Sequence, residues 1–193
     1  LTITTLTIKD GGALTSNGGT ITNNGGTVTN HGNFINNGGT INSYYGEGNG
    51  DGMINYHTID NKNGGIINSE HDLTNKEGAT INNDGGALEG EIDNYGTINN
   101  KGGGTIGAEN WEMLDNTGTI NNDGGSITSY YFTNDGITNN NDGGSITVMA
   151  QLRNYGTLNN NDGCTITNDG GTLENSYGGN IINNGGTINS YYG

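Results

Sequence analysis

The sequence predicts an all-β protein, a three-sided parallel β-helix (β-solenoid) of about nine coils with about 20 residues in each coil. Three observations lead to this prediction: a Gly pair that recurs about every 21 residues, an aliphatic residue three positions after the first Gly of each pair, and two further aliphatic series between the pairs. The pairs begin at Gly18, Gly38, Gly64, Gly85, Gly103, Gly124, Gly143, Gly163 and Gly185, with Cys164 as the second member of the eighth pair. The aliphatic residues that follow them, the first series, are Ile21, Ile41, Ile67, Leu88, Ile106, Ile127, Ile146, Ile166 and Ile188.

Gly (39), Asn (37) and Thr (26) make up more than half of the 193 residues. Composition alone favours a disordered chain, because Leu, Ile, Val and Phe total only 34 residues and the net charge is -15. The fixed offset of the first series excludes that interpretation. No run approaches the ~18 apolar residues of a membrane helix, so no membrane insertion is expected. The five Lys and Arg residues lie singly, which excludes a basic patch for nucleic acid. A single cysteine, Cys164, rules out an internal disulfide framework.

Two more aliphatic series supply the second and third strands of each coil. The second series is Val28, Ile54, Leu73, Ile92, Leu114, Phe132, Leu152 and Leu173. The third series is Leu14, Ile35, Ile59, Ile81, Ile98, Ile120, Ile137, Leu158 and Ile182. Polar residues flank each member, which predicts short strands with one side chain pointing inward. We expect one right-handed solenoid domain over residues 1–193, with 1–17 as a first, incomplete coil and 18–193 as repeated coils. Ile8 and Leu14 fit the second and third series in that first coil.

Asn follows two positions after most members of the second and third series, where the alternation of a strand returns the side chain to the inner face. After the second series these residues are Asn30, Asn75, Asn94, Asn116, Asn134, Asn154 and Asn175, with Tyr56 as the exception. After the third series they are Asn37, Asn61, Asn83, Asn100, Asn122, Asn139, Asn160 and Asn184. The pattern favours inward ladders in which each amide bonds to those above and below. The alternative is that Asn only tolerates the turn geometry beside Gly.

Neither end of the sequence shows the polar or helical cap that soluble solenoids carry. Unpaired strand edges at both ends would generate an open fibre through heterologous contacts between copies. The alternative is that the sequence is part of a longer chain whose caps lie outside it, which a first residue other than Met also favours.

Catalysis is not expected, because the three His residues lie in different coils and no nucleophile–base pair is visible. Asp123, Asp142 and Asp162 precede Gly in successive coils. Stacked about 4.8 Å apart they would repel one another, and a Ca²⁺ ion would relieve the repulsion. The alternative, a row of solvated Asp-Gly turns, is favoured over this metal site.

Surface residue types leave several binding hypotheses open. Interrupted Thr-x-Thr ranks such as Thr165 with Thr167 resemble ice-binding faces, although Thr on an outer face is also ordinary β propensity. The sequence also contains three Tyr pairs, at Tyr44–Tyr45, Tyr130–Tyr131 and Tyr191–Tyr192. Such pairs are consistent with lateral contacts between molecules, with stacking on sugars, or with wrapping a corner of the solenoid. Trp111 lies in a segment of helix-like composition and is expected to cover the core.

With its Gly-Thr-Ile-Asn-Asn and Gly-Gly-Thr-Ile units, the chain resembles the Asn/Gly-rich β-helix repeats of secreted microbial surface proteins, such as autotransporter passengers and filamentous-haemagglutinin-type adhesins. The resemblance covers nearly all of the chain and implies a right-handed parallel β-helix at the cell surface or outside the cell. The leading hypothesis is a non-enzymatic structural protein that is its own partner in an end-to-end homopolymer. The alternatives are an adhesin stalk that binds cell-surface glycans, and an ice-binding protein. No cofactor is expected apart from the calcium considered above.

Overall fold

The computed structural model describes residues 1–44 and 52–191, and over these residues it contains strands and turns without a helix. The strands are β1 (Thr2–Ile3), β2 (Leu6–Ile8), β3 (Ala13–Asn17), β4 (Thr20–Asn24), β5 (Val28–Asn30), β6 (Asn33–Asn37), β7 (Thr40–Tyr44), β8 (Met53–Asn55), β9 (Thr58–Lys62), β10 (Ile66–Asn75), β11 (Thr80–Asp84), β12 (Ala87–Asn94), β13 (Thr97–Lys101), β14 (Thr105–Asn116), β15 (Thr119–Asp123), β16 (Ser126–Asn134), β17 (Ile137–Asn141), β18 (Ser145–Asn154), β19 (Thr157–Asn160), β20 (Thr165–Asp169), β21 (Thr172–Asn175), β22 (Asn180–Asn183) and β23 (Thr187–Tyr191). The predicted all-β class is confirmed.

Each strand pairs in parallel with the equivalent segment of the next coil. Ile106 lies opposite Ile127, and Ile127 lies opposite Ile146, so these residues form the predicted vertical column. The third strands form a nine-stranded sheet, and the first and second strands together form a 14-stranded sheet. From β10 to β18 the first two strands of a coil merge into one long strand with a register shift at the corner between them. No described segment is a helix long and apolar enough to cross a membrane.

Three columns of large apolar side chains fill the interior of the solenoid. A fully buried side chain of this size contributes about 1.5–3 kcal/mol, whereas ordering the backbone costs about 1–2 kcal/mol for each of the ~20 residues in a coil. A single coil therefore cannot fold alone, and its stability depends on the coils above and below it.

The predicted interior residue is wrong by one position in several strands. Met53 is buried in the second-strand column where Ile54 was expected, and Phe34 is buried in the third-strand column where Ile35 was expected. In the last coil Ile181 replaces Ile182 in the third-strand column. These strands carry two adjacent apolar residues, so a one-residue slip leaves the polar-apolar pattern almost unchanged. The neighbouring coils select the side chain that fits the column.

The first coil and β17 also differ from expectation. Leu6, not Ile8, lies in the second-strand column, and Ile8 takes the place that Asn has in later coils. In β17 Ile137 is 46% exposed, and Thr138 occupies the interior between Ile120 and Leu158. The Thr138 hydroxyl donates a hydrogen bond to Asn134 Oδ1 at 2.8 Å. The buried hydroxyl of Thr138 therefore has a hydrogen-bond partner inside the column.

Trp111 does not cover the core. It belongs to β14, has a φ of 76°, and is 70% exposed. The segment has helix-like composition, but pairing with the neighbouring strands β12 and β16 makes it a strand with a corner, because tertiary pairing overrides local propensity.

Candidate functional site

Two inner Asn ladders run along the solenoid, and the prediction of inward ladders is confirmed. In the second-corner ladder, each side-chain amide donates to the Oδ1 atom of the Asn in the next coil at 2.7–2.8 Å. It consists of Asn30, Asn55, Asn75, Asn94, Asn116, Asn134, Asn154 and Asn175. In the third-corner ladder the same distance is 2.7–2.9 Å. It consists of Asn36, Asn61, Asn83, Asn100, Asn122, Asn140, Asn160 and Asn183.

The one-residue corrections in the strands carry over to the ladders. Asn55 fills the position at which Tyr56 was expected as an exception, and Tyr56 is instead 45% exposed. Asn36, Asn140 and Asn183 replace the expected Asn37, Asn139 and Asn184. The second-corner ladder is therefore unbroken from Asn30 to Asn175.

The ladder explains why Gly occurs in pairs. Gly124 has a φ of 72°, a conformation that L residues rarely adopt. A Cβ atom on Gly125 would lie 2.2 Å from Asn100 Nδ2 and 2.6 Å from Asn122 Oδ1. The first Gly therefore makes the turn, and the second leaves room for the amides of the ladder.

Cys164 stands where the other coils have the second Gly of the pair. It is a free cysteine, 1% exposed. The Asn160 side-chain amide donates to the Cys164 carbonyl at 3.5 Å, whereas Asn100 donates to Gly104 at 3.0 Å. The side chain of Cys164 is accommodated in this coil together with a longer hydrogen bond from Asn160 to its own turn, while both ladder bonds of Asn160 remain 2.9 Å.

A further ladder lies on the outer face of the third strands, and its donors point toward the preceding coil. It consists of Asp60, Asn82, Asn99, Asn121, Asn139 and Asn159, joined at 2.7–2.9 Å. Asn139, which was expected inside, belongs to this outer Asn ladder. Beside it lies a Thr column that Ile137 interrupts; its members are Thr58, Thr80, Thr97, Thr119 and Thr157.

The three candidate calcium ligands do not form one column. Asp123 lies opposite Asn141, whose amide donates to Asp123 Oδ1 at 2.8 Å. Asp142 is the next residue along the chain and has a φ of 53°. The described residues contain no group of three or more His, Cys, Asp or Glu side chains that could hold a metal ion. The expected stacking of Asp123 on Asp142 is wrong, because the turns after β17 and β19 each hold one residue more than the turn after β15. Asp142 and Asp162 hold equivalent places in those two longer turns. Calcium binding by these residues stays a prediction.

The outer face of the second strands carries an acidic patch, which consists of Asp72, Glu91, Asp93 and Asp115. Asp93 and Asp115 are direct neighbours in adjacent coils. Burial raises the pKa of Glu91, Asp93 and Asp115, and the charge of Asp72 raises the pKa of Glu91 and Asp93 further. The Asp93 charge also raises the pKa of the Tyr95 hydroxyl. The patch therefore holds unfavourable charge at neutral pH.

Aromatic side chains cluster at the corner between the first and second strands. The Trp111 and Tyr130 ring centroids are 4.3 Å apart, and those of Tyr130 and Tyr131 are 4.9 Å apart. Tyr45 and Tyr192, members of the other two predicted pairs, lie outside the described residues. The Tyr130–Tyr131 pair thus joins the exposed Trp111 in one aromatic surface.

A groove of about 460 Å³ opens on the outer face of the first strands. Its lining includes Asn68, Glu89, Gly107, Glu112, Ser126 and Thr128. Glu89 and Gly107 interrupt the Thr-x-Thr ranks of the first strands. Two features of the sequence could have predicted the groove: Gly107, which has no side chain, and the long corner that follows it.

No protein-family model matches the chain, and neither the curated proteins nor the solved structures give a match. The likeness to β-helix surface proteins therefore rests on repeat style, which the parallel coils and Asn ladders fit.

Proposed function

We propose that the protein is a non-enzymatic structural protein of the cell surface or extracellular space, in which solenoids associate end to end into a filament, fibre or sheath. The observation that carries this proposal is the match between the two end coils. Leu6 and Leu14 at the first coil, and Leu173 and Ile181 at the last, are partly buried and pack on the core.

Stacking one copy on another would continue the interior columns. Leu6 belongs to the same column as Leu173, and Leu14 belongs to the same column as Ile181. Within the described residues, β1, β2 and β3 at one end and β21, β22 and β23 at the other have a partner on one side only. Parallel pairing across these edges is heterologous and therefore propagates.

The junction would be weaker than a contact between internal coils. Asn175 of one copy would meet Ile8 of the next, where internal coils place a second Asn. The second-corner ladder is thus interrupted once per copy, and we expect filaments to dissociate before their coils unfold.

Electron microscopy and sedimentation of the wild-type chain test the proposal. We expect fibres from the wild type and none from Leu6→Asp or Leu173→Asp, because each substitution places a charge in the apolar end face. Thr7→Asp and Thr172→Asp are matched controls on exposed positions of the same strands and should still form fibres. An equimolar mixture of the two Leu variants should give dimers only, since each retains one intact end. Monodisperse wild-type monomers at high concentration would contradict the proposal.

A second candidate function is adhesion through glycan binding, which the exposed Trp111 in contact with Tyr130 favours. Trp111→Ala should then abolish binding to a glycan array, whereas Tyr177→Ala, an exposed aromatic elsewhere, should retain it.

Ice binding is favoured by the Thr column beside the outer Asn ladder. The absence of thermal hysteresis and of ice shaping would reject it.

A further inference from the structure

The outer face of the second strands changes its chemistry along the axis of the solenoid. At β12 it carries Glu91 and Asp93, which belong to the acidic patch. At β18 it carries Gln151 and Arg153, the only Arg in the chain. One outer column crosses the whole face, and its members are Asp93, Asp115, Thr133 and Arg153. Hydrogen-bond acceptors therefore lie at one end of this face and donors at the other.

The middle of the same face is an apolar depression of about 170 Å³. Its lining residues are Met113, Tyr131, Thr133, Gln151 and Arg153. Met113 is exposed and pairs with Tyr131 in a second outer column, and Tyr131 also contacts Tyr130 of the aromatic surface. Exposed apolar side chains that are bordered by polar ones are typical of protein–protein contacts.

Arg153 and Asp93 can each accept a partner of opposite charge. Glu174 Oε2 lies 3.7 Å from Arg153 Nε, and both side chains are partly exposed. The terminal nitrogen atoms of the guanidinium carry further N–H donors, which make no hydrogen bond within residues 1–44 and 52–191. Burial raises the pKa of Asp93, and the charges of Asp72 and Asp115 raise it further, so a cation beside Asp93 would stabilise its ionised form.

We propose that this face pairs with the same face of a second copy of the chain, with the two solenoids side by side and antiparallel. A two-fold axis that crosses the face between β14 and β16 has β12 and β18 at equal distances on either side. Arg153 of each copy then faces the partner's Asp93. Across the centre, Met113 faces the partner's Tyr131, so that the contact buries the apolar depression.

Charge selects the antiparallel arrangement over a parallel one. In a parallel pair the two outer columns would face each other at the same level, so Arg153 would meet the partner's Gln151 and no opposite charges would pair. In the antiparallel pair, Gln151 instead offers its amide to the partner's Glu91. The Thr133 hydroxyl lies opposite the partner's Asp115. The donor end of each copy thus covers the acidic end of the other, and the contact uses no residue of the end coils.

Sedimentation velocity of the Leu6→Asp chain tests the contact, because that substitution is expected to block end-to-end assembly. We expect dimers that weaken as the salt concentration rises. Arg153→Asp and Asp93→Arg should each weaken dimerisation about ten-fold or more, since like charges then face each other twice. An equimolar mixture of these two variants should restore dimers, because every charged contact between them joins opposite charges. Lys101→Asp and Asp84→Arg are matched charge reversals on the third-strand sheet and should leave dimerisation within about two-fold.

Three outcomes would overturn the proposal. Monomers of the Leu6→Asp chain at high concentration mean that this face does not pair. Equal weakening by the control reversals means that association depends on net charge alone. Loss of dimers in both single variants without recovery in the mixture means that Arg153 and Asp93 do not face each other. In an Arg153→Asp background the two Leu variants test end-to-end assembly without lateral pairing, so each contact is measured separately. Circular dichroism of each variant verifies that the solenoid is folded.

Discussion

Replacing one inner Asn should destabilise the solenoid far more than replacing its neighbour on the outer face. Asn100 is fully buried. Its amide donates to Asn122 Oδ1 at 2.8 Å and to the Gly104 carbonyl at 3.0 Å, and its Oδ1 accepts from Asn83 at 2.7 Å. Asn99 in the same strand is half-buried and makes one donated and one accepted ladder bond, both at 2.9 Å.

The expected magnitudes follow from what each substitution leaves unpaired. Asn100→Ala removes about three hydrogen bonds, each worth about 0.5–1.5 kcal/mol net, and leaves Asn122 Oδ1 buried without its donor at about 1–3 kcal/mol. We expect a loss of about 3–5 kcal/mol in the free energy of unfolding. Asn99→Ala should cost about 0.5–1 kcal/mol, because water replaces the lost partners. Asn100→Asp should lower the free energy of unfolding most at neutral pH, because an ionised carboxylate cannot donate a hydrogen bond. Protonation in acid should restore part of that stability.

Urea denaturation followed by Trp111 fluorescence measures this difference locally, one coil away from the substitution. A local probe is needed because a solenoid can lose cooperativity when one coil is weakened. Losses for Asn100→Ala and Asn99→Ala that agree within about 0.5 kcal/mol would refute the view that inner amides carry more stability than outer ones.

Three other predictions concern charge, the thiol and the Gly pair. Because the folded state raises the pKa of Asp93 and Asp115 above the ordinary 3.8, it holds protons that the unfolded chain has lost, so the urea midpoint should rise as the pH falls from neutral toward about 4. Asp93→Asn with Asp115→Asn should flatten that rise; an unchanged slope contradicts the assignment. Cys164 should react with Ellman's reagent only after urea unfolding, and rapid native labelling would disprove its burial. Gly125→Ala should lower the free energy of unfolding by about 1–3 kcal/mol, because its Cβ atom would clash with the ladder. Gly107→Ala should leave the melting temperature almost unchanged. Equal effects of the two substitutions on thermal melting would count against this explanation of the Gly pair.

Most of the fold could be predicted because each coil repeats the same short pattern. The offset between Gly18 and Ile21 recurs in every unit, and parallel stacking converts a sequence repeat directly into a column. The ladder was predictable for the same reason, since Asn100 and Asn122 hold equivalent places in successive coils. Errors arose where the pattern was degenerate. At Phe34–Ile35 two apolar neighbours precede two adjacent Asn residues, and either register satisfies the local alternation.

The sequence by itself determined the approximate number of coils, the parallel columns and the existence of inner Asn ladders, because these follow from a period that is local and repeated. Only the tertiary structure decided which of two adjacent residues faces the interior, as at Ile137 and Thr138, since that choice depends on the side chains in the coils above and below. It also decided the exposure of Trp111 and the groove at Gly107. A groove is formed by side chains from several coils at once, and no single repeat contains the information that specifies it.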